Sequence, residues 1–298
     1  MREIRVRHHC RTLIFICALT AALLSLTTSI SSTTLAVDKM TAEDVIAKHL
    51  ESIGSAEARS GAHSRVVVGT SHGIFNARNR VGLVDGRFVL GSIDHKVLYA
   101  MAFPSPDYPS EKFGFDGKKF TVGYLKPGVR STLGSFILIH DTVFKEGLMG
   151  GTLSSAWPFL NLAERKAKLE YAGTEKIGEQ LVHKLKYSPN KGSELEVTLY
   201  FDAKTFQHVR TQYERVVGAK LTGGGIDNQA GQRATRYKMI EDFSDYKKEG
   251  GLNLPHKYKL ELSIDNTNGT SIHKWEMNLD QFSFNQEIDE KGFDVEAK

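Results

Sequence analysis

Apolar and polar side chains alternate with a period of two along most of the chain. In the segment 194–202, Leu195, Val197, Leu199 and Phe201 share one parity, whereas the intervening positions are mostly polar. This alternation predicts strands that bury one face only, which favours antiparallel sheet over the two-sided burial of parallel sheet. The segment 257–265 has the same pattern, and weaker versions occur at 97–103, 120–124 and 209–213.

Turn-forming residues separate these strands. Asp85-Gly86 and Asp116-Gly117 each lie between alternating runs, and Asp-Gly in that position is a strong hairpin signal. Asn190-Lys191-Gly192 predicts a further turn. The parity of the apolar positions changes at Asp280-Gln281, which predicts a β-bulge there. The sequence therefore predicts about eleven strands in one meandering antiparallel sheet.

Two segments depart from this pattern and predict helices. Residues 40–58 carry a capping residue, Thr41, and an apolar stripe that ends at Gly54. The second segment, 133–162, is the most apolar part of the chain after residue 36, and we call it the plug segment. It could cover the sheet as an ordinary core helix, or it could line and gate an apolar cavity. Its apolar positions are Leu133, Phe136, Ile137, Val143, Phe144 and Leu148, followed by Trp157 and Phe159.

The first 36 residues have the order of a secretory signal peptide. A head with four arginines precedes the apolar run 13–26, and Thr34-Leu35-Ala36 offers a small-residue cleavage site. An uncleaved membrane anchor is the alternative. We expect a mature protein of residues 37–298, a single domain that is soluble and periplasmic. The residues before Cys17 do not form a lipobox, so lipid attachment is not expected.

Charge and cysteine content narrow the function further. Four of the 39 basic residues and one of the 35 acidic residues precede Val37, so the remainder is close to neutral. A near-neutral protein is a poor nucleic-acid binder. Both cysteines, Cys10 and Cys17, also lie before the predicted cleavage site. Disulfide and zinc-thiolate chemistry are therefore not expected in the mature chain.

No motif makes a strong case for catalysis. Gly69-Thr70-Ser71-His72-Gly73 matches the pattern of a hydrolase nucleophile elbow, but no helical pattern follows it, so a hairpin loop is expected instead. The histidines lack metal-ligand spacing, and His140 is interpreted as a hydrogen-bonded core residue. The glycine-rich segment 217–232 is interpreted as a strand connection, not a phosphate loop.

Several short motifs resemble the periplasmic lipoprotein carriers of the Lol type. These are the hairpin Phe115-Asp116-Gly117-Lys118-Lys119-Phe120 with Lys126-Pro127 after it, Phe201-Asp202 with Thr205 and Arg210, Asp245-Tyr246 with Leu254-Pro255, and the ending Phe282, Asn285, Ile288-Asp289 and Phe293. The resemblance covers residues 40–298. It implies a half-open barrel whose concave face holds acyl chains.

The resulting hypothesis is a periplasmic, non-catalytic carrier for the acyl chains of a lipid or lipoprotein. It needs no cofactor or metal, its mature chain is expected to be a monomer, and a membrane-bound donor or acceptor is a further candidate partner. The alternatives are an envelope structural or sensor module that binds a protein, and a secreted serine hydrolase using Ser71. The expected ligand-binding residues are Leu133, Phe136, Ile137, Val143, Phe144, Leu148, Trp157 and Phe159.

Overall fold

The computed structural model describes residues 40–77, 80–218 and 234–296, so the predicted signal peptide and most of the glycine-rich segment lie outside it. The described residues form one antiparallel sheet of twelve strands, in the order β5-β4-β3-β2-β1-β12-β11-β10-β9-β8-β7-β6. The predicted meander is therefore confirmed, with one strand more than expected. The strands are β1 Ser64–Ala77, β2 Arg80–Ile93, β3 Lys96–Ala102, β4 Ser110–Phe115, β5 Phe120–Val122, β6 Lys168–Ile177, β7 Gln180–Ser188, β8 Glu196–Asp202, β9 His208–Val217, β10 Thr235–Glu249, β11 Leu252–Asn266 and β12 Gly269–Phe284.

Two of the three predicted turns are confirmed. Asp116-Gly117 joins β4 to β5, and Asn190-Lys191-Gly192 joins β7 to β8. The prediction for Asp85-Gly86 is wrong, because both residues lie inside the continuous strand β2. Gly86 is required there for a different reason: a Cβ atom at this position would be 2.1 Å from the Ala102 carbonyl oxygen. A close backbone approach, not a turn, explains the glycine.

The predicted bulge in the last strand is confirmed. Val68 pairs with Gln281 and Gly69 pairs with Leu279, so Asp280 is the extra residue of β12. The same pairing corrects the interpretation of the Gly-x-Ser-x-Gly motif. Gly69 is needed because a Cβ atom would lie 2.1 Å from the Asn278 carbonyl oxygen, and the whole motif lies within β1 instead of in a hairpin loop.

The N-terminal helix forms as predicted. It begins after Thr41, whose hydroxyl accepts from the Asp44 backbone N–H while the Asp44 carboxylate accepts from the Thr41 backbone N–H, and it ends at Gly54. It packs at one end of the sheet, where Asn253 at the start of β11 donates to the Ser52 carbonyl. The helices are α1 Ala42–Ile53, α2 Ala56–Gly61, α3 Thr132–Ile139, α4 Thr142–Lys145 and α5 Leu162–Arg165, with 3₁₀ turns at Gly151–Leu153, Pro158–Asn161 and Glu290–Phe293.

The plug segment is not one helix but the succession α3, α4, a 3₁₀-rich loop and α5. The sheet curves around it from both sides. Phe144 contacts the rings of Phe113 and Phe120 near one free edge of the sheet. Phe159 contacts Phe201 near the other edge. The sheet is therefore a half-open barrel with the plug on its concave face, as the resemblance implied.

Candidate functional site

The plug loop (147–157) is attached to the concave face by hydrogen bonds from four separate elements. The Gly150 N–H donates to Glu241 Oε1 on β10 (2.8 Å), and Arg65 Nη1 on β1 donates to the Thr152 carbonyl (2.7 Å). On β2, the Ser92 hydroxyl accepts from the Ser155 backbone N–H (2.9 Å). Trp157 Nε1 donates to His49 Nε2 on α1 (3.0 Å). The first three bonds satisfy backbone groups of the irregular loop, and the fourth satisfies the indole N–H of Trp157.

Glu241 is a fully buried carboxyl group surrounded by donors. Besides the Gly150 N–H it accepts hydrogen bonds from the hydroxyls of Tyr213 (2.6 Å) and Tyr258 (2.7 Å). Burial outweighs these donors and raises the pKa of Glu241 to about 7. The side chain therefore acts as a polar anchor for the plug loop in an otherwise apolar interior.

Arg65 is the complementary anchor for the loop's carbonyl groups. It is 1% exposed, and its Nη1 donates to the carbonyls of Thr152 and Ser154 (3.3 Å for the latter). Its Nε and Nη2 have no partner among the described residues. Burial lowers the pKa of Arg65 to about 10, which leaves the guanidinium charged. Neither anchor was among the predicted site residues.

Unlike the anchored plug loop, helix α3 has a pocket on each side of its first turn. Arg130, Ser131 and Thr132 line both pockets. The Ser131 hydroxyl caps the helix by accepting from the Gly134 backbone N–H (2.7 Å). At the other end, Leu138 and Ile139 are 39% and 70% exposed. Thus α3 separates two cavities and presents apolar side chains to solvent.

The two pockets differ in size and in their walls. The β1-side pocket has a volume of about 300 Å³, and the β10-side pocket has a volume of about 560 Å³. Both lie within the range usual for small-molecule sites. Besides the three shared residues, the first is lined by Phe75, Tyr108, Glu111, Leu125, Leu133, His273 and Trp275, and the second by Ser135, Phe136, Ile139, His140, Arg215, Val217, Tyr237 and Ile264.

The structure divides the eight predicted ligand-binding residues into two groups. Leu133 lines the β1-side pocket and Phe136 lines the β10-side pocket, where its ring stacks on Tyr237. The other six are buried in the closed core and line neither pocket; they are Ile137, Val143, Phe144, Leu148, Trp157 and Phe159.

Exposed apolar side chains concentrate at the end of the half-barrel where α3 lies. Val81 and Leu83 are at the start of β2, Val216 is at the end of β9, and Ile139 ends α3. Because adjacent strands are antiparallel, these strand termini lie at the same end of the sheet. Helix α1 covers loops at the opposite end. The pocket end therefore has an apolar rim.

Ser71 does not have the surroundings of a nucleophile. Its side chain is buried and its hydroxyl donates to the Met101 sulfur (3.4 Å), with no histidine or carboxylate bonded to it among the described residues. The adjacent His72 contacts Asp85 instead (2.6 Å). A nucleophilic serine needs a base within hydrogen-bond reach. In the part of the chain that the structure describes, no cluster of three or more His, Cys, Asp or Glu residues could hold a metal ion.

His140 lies in the buried position predicted for it, where its Nε2 accepts from Arg215 Nη1 (3.3 Å). Across residues 40–77, 80–218 and 234–296, no helix has the length and hydropathy needed to cross a bilayer.

Several solved structures of low sequence identity align with most of this chain. A DUF1329 family protein from Desulfovibrio piger is 10% identical, with a TM-score of 0.45 over 85% of this chain and 97% of the other. An outer membrane lipoprotein-sorting protein domain from Vibrio parahaemolyticus is 13% identical, with a TM-score of 0.43 over 84% and 96%.

The lipoprotein LppX from Mycobacterium tuberculosis is 12% identical, with a TM-score of 0.21 over 83% of this chain and 98% of the other. No family model and no curated protein matches the sequence.

Proposed function

We propose that residues 37–298, released by removal of the signal peptide, act in the periplasm as a non-catalytic carrier of acyl chains from a lipid or lipoprotein. The observation that carries this proposal is the position of α3 between two pockets at the apolar-rimmed end of the half-barrel. Burying a methylene group contributes about 0.8 kcal/mol, so apolar walls can bind a chain without catalytic groups.

Binding would begin in the two pockets, and movement of α3 would enlarge the space available to the ligand. Both pockets border Arg130, Ser131 and Thr132, so displacement of the first turn of α3 would join them into one cavity. That movement would also uncover Ile137, which lies on the buried side of the helix. The plug loop would stay in place because its four hydrogen-bonded anchors are independent of α3.

The proposal divides the predicted binding residues by role. Leu133 and Phe136 contact ligand in the closed protein, whereas Ile137, Val143 and Phe144 would do so only after movement of α3 and α4. Leu148, Trp157 and Phe159 belong to the anchored loop and the turn after it, and they would form the floor of the enlarged cavity only once α3 and α4 have moved.

The test is binding of a fluorescent fatty-acid probe to the purified mature protein, with mass spectrometry of its organic extract. Ile139→Asp places a carboxylate on the wall of the β10-side pocket, where a chain would otherwise bury apolar surface. Since Ile139 is 70% exposed, the variant should fold normally and bind the probe about tenfold more weakly.

Leu181→Asp is the matched control. Leu181 is 47% exposed, lies at the start of β7 away from the apolar rim and lines neither pocket, so the same change should leave probe affinity unaltered. A wild-type protein that yields no co-purified lipid and binds no probe would contradict the carrier proposal. Equal affinities of wild type and Ile139→Asp would contradict the assignment of the pocket.

A further inference from the structure

The described walls of the β10-side pocket contain two arginines and no carboxylate. Arg130 lies just before the start of α3, whereas Arg215 on β9 contacts His140 at the end of this helix, and the remaining polar side chains are hydroxyls and one imidazole. The β1-side pocket differs, because the carboxyl group of Glu111 forms part of its wall. The two pockets thus offer different electrostatic environments to a ligand.

Arg215 is held in place without being neutralised from within the pocket. Its Nη1 donates to His140 Nε2 (3.3 Å), and its Nη2 pairs with the Glu194 carboxylate outside the pocket. Burial, together with the charge of Arg215, lowers the pKa of His140 to about 4, so the imidazole is neutral at neutral pH and accepts this bond. The guanidinium is thereby oriented while its charge remains.

The ion pair of Arg215 is weak enough to be exchanged for a ligand. The Glu194 side chain is 72% exposed, and an exposed pair of this kind contributes little because solvent screens it. Arg130 is held more firmly: its Nη2 pairs with Glu296 (2.6 Å), whose side chain is only 29% exposed, and its guanidinium lies 4.0 Å from the Tyr124 ring centre. An anion entering the pocket can therefore replace the exposed carboxylate of Glu194 on Arg215.

The wall beyond the arginines is apolar. Phe136 and Ile139 on α3 and Ile264 on β11 enclose the space next to the Tyr237 ring. A guanidinium beside an apolar wall matches an amphiphile, because the planar group binds carboxylate or phosphate oxygens in pairs while the wall covers the chain. An uncharged ligand would contact the apolar wall but would not bind the guanidinium group.

We propose that the β10-side pocket selects an amphiphile with an anionic head group, carboxylate or phosphate, which Arg215 binds while its chain lies against Phe136 and Ile139. This inference rests on the proposed carrier function and adds the head-group chemistry to it. Arg130, just before the start of α3, adds a second positive charge to the same pocket, and the β1-side pocket has no part in charge recognition.

The test compares cis-parinaric acid with its uncharged methyl ester by fluorescence titration at neutral pH. The two probes share a chain and differ in head-group charge. We expect wild type to bind the acid about tenfold more tightly than the ester, with the difference falling as salt is added. Arg215→Gln should remove this preference by weakening the acid and not the ester. An alkyl phosphate used as competitor separates phosphate from carboxylate binding.

Arg236→Gln provides the control for overall charge. Arg236 lies on β10 next to Tyr237, the residue paired with Arg215, but it does not line the β10-side pocket, because successive side chains of a strand point to opposite faces of the sheet. It should leave both affinities unchanged. Thermal unfolding of both variants checks that each one folds.

Three other outcomes would each contradict a specific part of the proposals. If wild type binds acid and ester equally, the head-group inference is wrong and the carrier function stands. If neither probe binds, both proposals are wrong. If Arg215→Gln leaves the preference intact, or Arg236→Gln abolishes it equally, the assignment to Arg215 is wrong.

Discussion

At the scale of single residues, the most informative side chains are charges in inward-facing positions of the strands. Arg65 shares the parity of the buried Val67 on β1, and Glu241 lies between the buried Met239 and Phe243 on β10. Buried charges are costly unless they are bonded, and both bind the backbone of the plug loop. Glu241 accepts a hydrogen bond from a backbone N–H of the loop, whereas Arg65 donates to the loop's carbonyl groups, and together they attach the loop to the sheet.

The burial of Glu241 predicts a specific pH dependence of stability. Its pKa is about 7 in the folded protein, against an ordinary value of 4.5. As pH rises from about 4.5 to 7, the unfolded chain ionises while the folded chain keeps its proton, so this group's contribution to folding is lost. Across that range wild type should lose about 3 kcal/mol of unfolding free energy relative to Glu241→Gln.

Urea unfolding of the two proteins at about pH 5 and about pH 8 measures this difference. The comparison is needed because His49, whose burial lowers its pKa to about 4, contributes with the opposite sign: its contribution is lost as pH falls below its ordinary value of 6.5. His49 is present in both proteins and cancels. Parallel pH profiles would show that Glu241 is not a protonated buried acid.

The two anchoring charges could have been found from the sequence. An arginine or glutamate at the apolar parity of an alternating strand departs from the pattern that predicts the strand itself. Their partners could not have been found, because the carbonyls of Thr152 and Ser154 belong to an irregular loop whose path is set by tertiary packing. Sequence pattern identifies the unusual residue but not the group that it binds.

At the scale of secondary-structure elements, strands were predicted well because each buries one face. The error at Asp85-Gly86 arose because glycine serves both in turns and where two backbones approach closely. The plug was predicted as an apolar helix, but periodicity cannot show where such a segment breaks. Its division into α3 and the anchored loop depends on hydrogen bonds from distant strands.

That division predicts different effects of truncating two phenylalanines of the plug segment. Phe144 is completely buried against Phe113 and Phe120, so Phe144→Ala should cost about 3–5 kcal/mol of unfolding free energy. Phe136 borders the β10-side pocket, so the space left by Phe136→Ala joins an existing cavity and should cost less. Urea unfolding measures both.

Probe affinity provides an independent comparison of the same two variants. Phe136→Ala removes a pocket wall and should weaken probe binding, whereas a folded Phe144→Ala should change it less. The reverse order, with Phe144→Ala the milder in stability and the stronger in binding, would mean that the ligand enters the core beside α4 and not the pockets beside α3.

At the scale of the whole molecule, the half-barrel has one covered end and one open end. Helix α1 covers the first, where His49 Nδ1 donates to the Phe206 carbonyl (2.9 Å) in the loop between β8 and β9. The second end carries the two pockets and the exposed apolar rim. This asymmetry places any opening of the protein at the α3 end.

The asymmetry predicts an order of local stability that hydrogen exchange can measure. The plug loop is bonded to β1, β2, β10 and α1, whereas α3 is bordered by pockets and ends in the exposed Ile139. Backbone amides in 132–140 should therefore exchange about tenfold faster or more than those in 148–157. Saturation with a fatty-acid probe should slow exchange in 132–140 and leave 148–157 unchanged, because ligand binds beside the helix and not beneath the anchored loop. Equal exchange in both segments, with equal protection by the probe, would mean that the plug moves as one unit and that its anchors open with it.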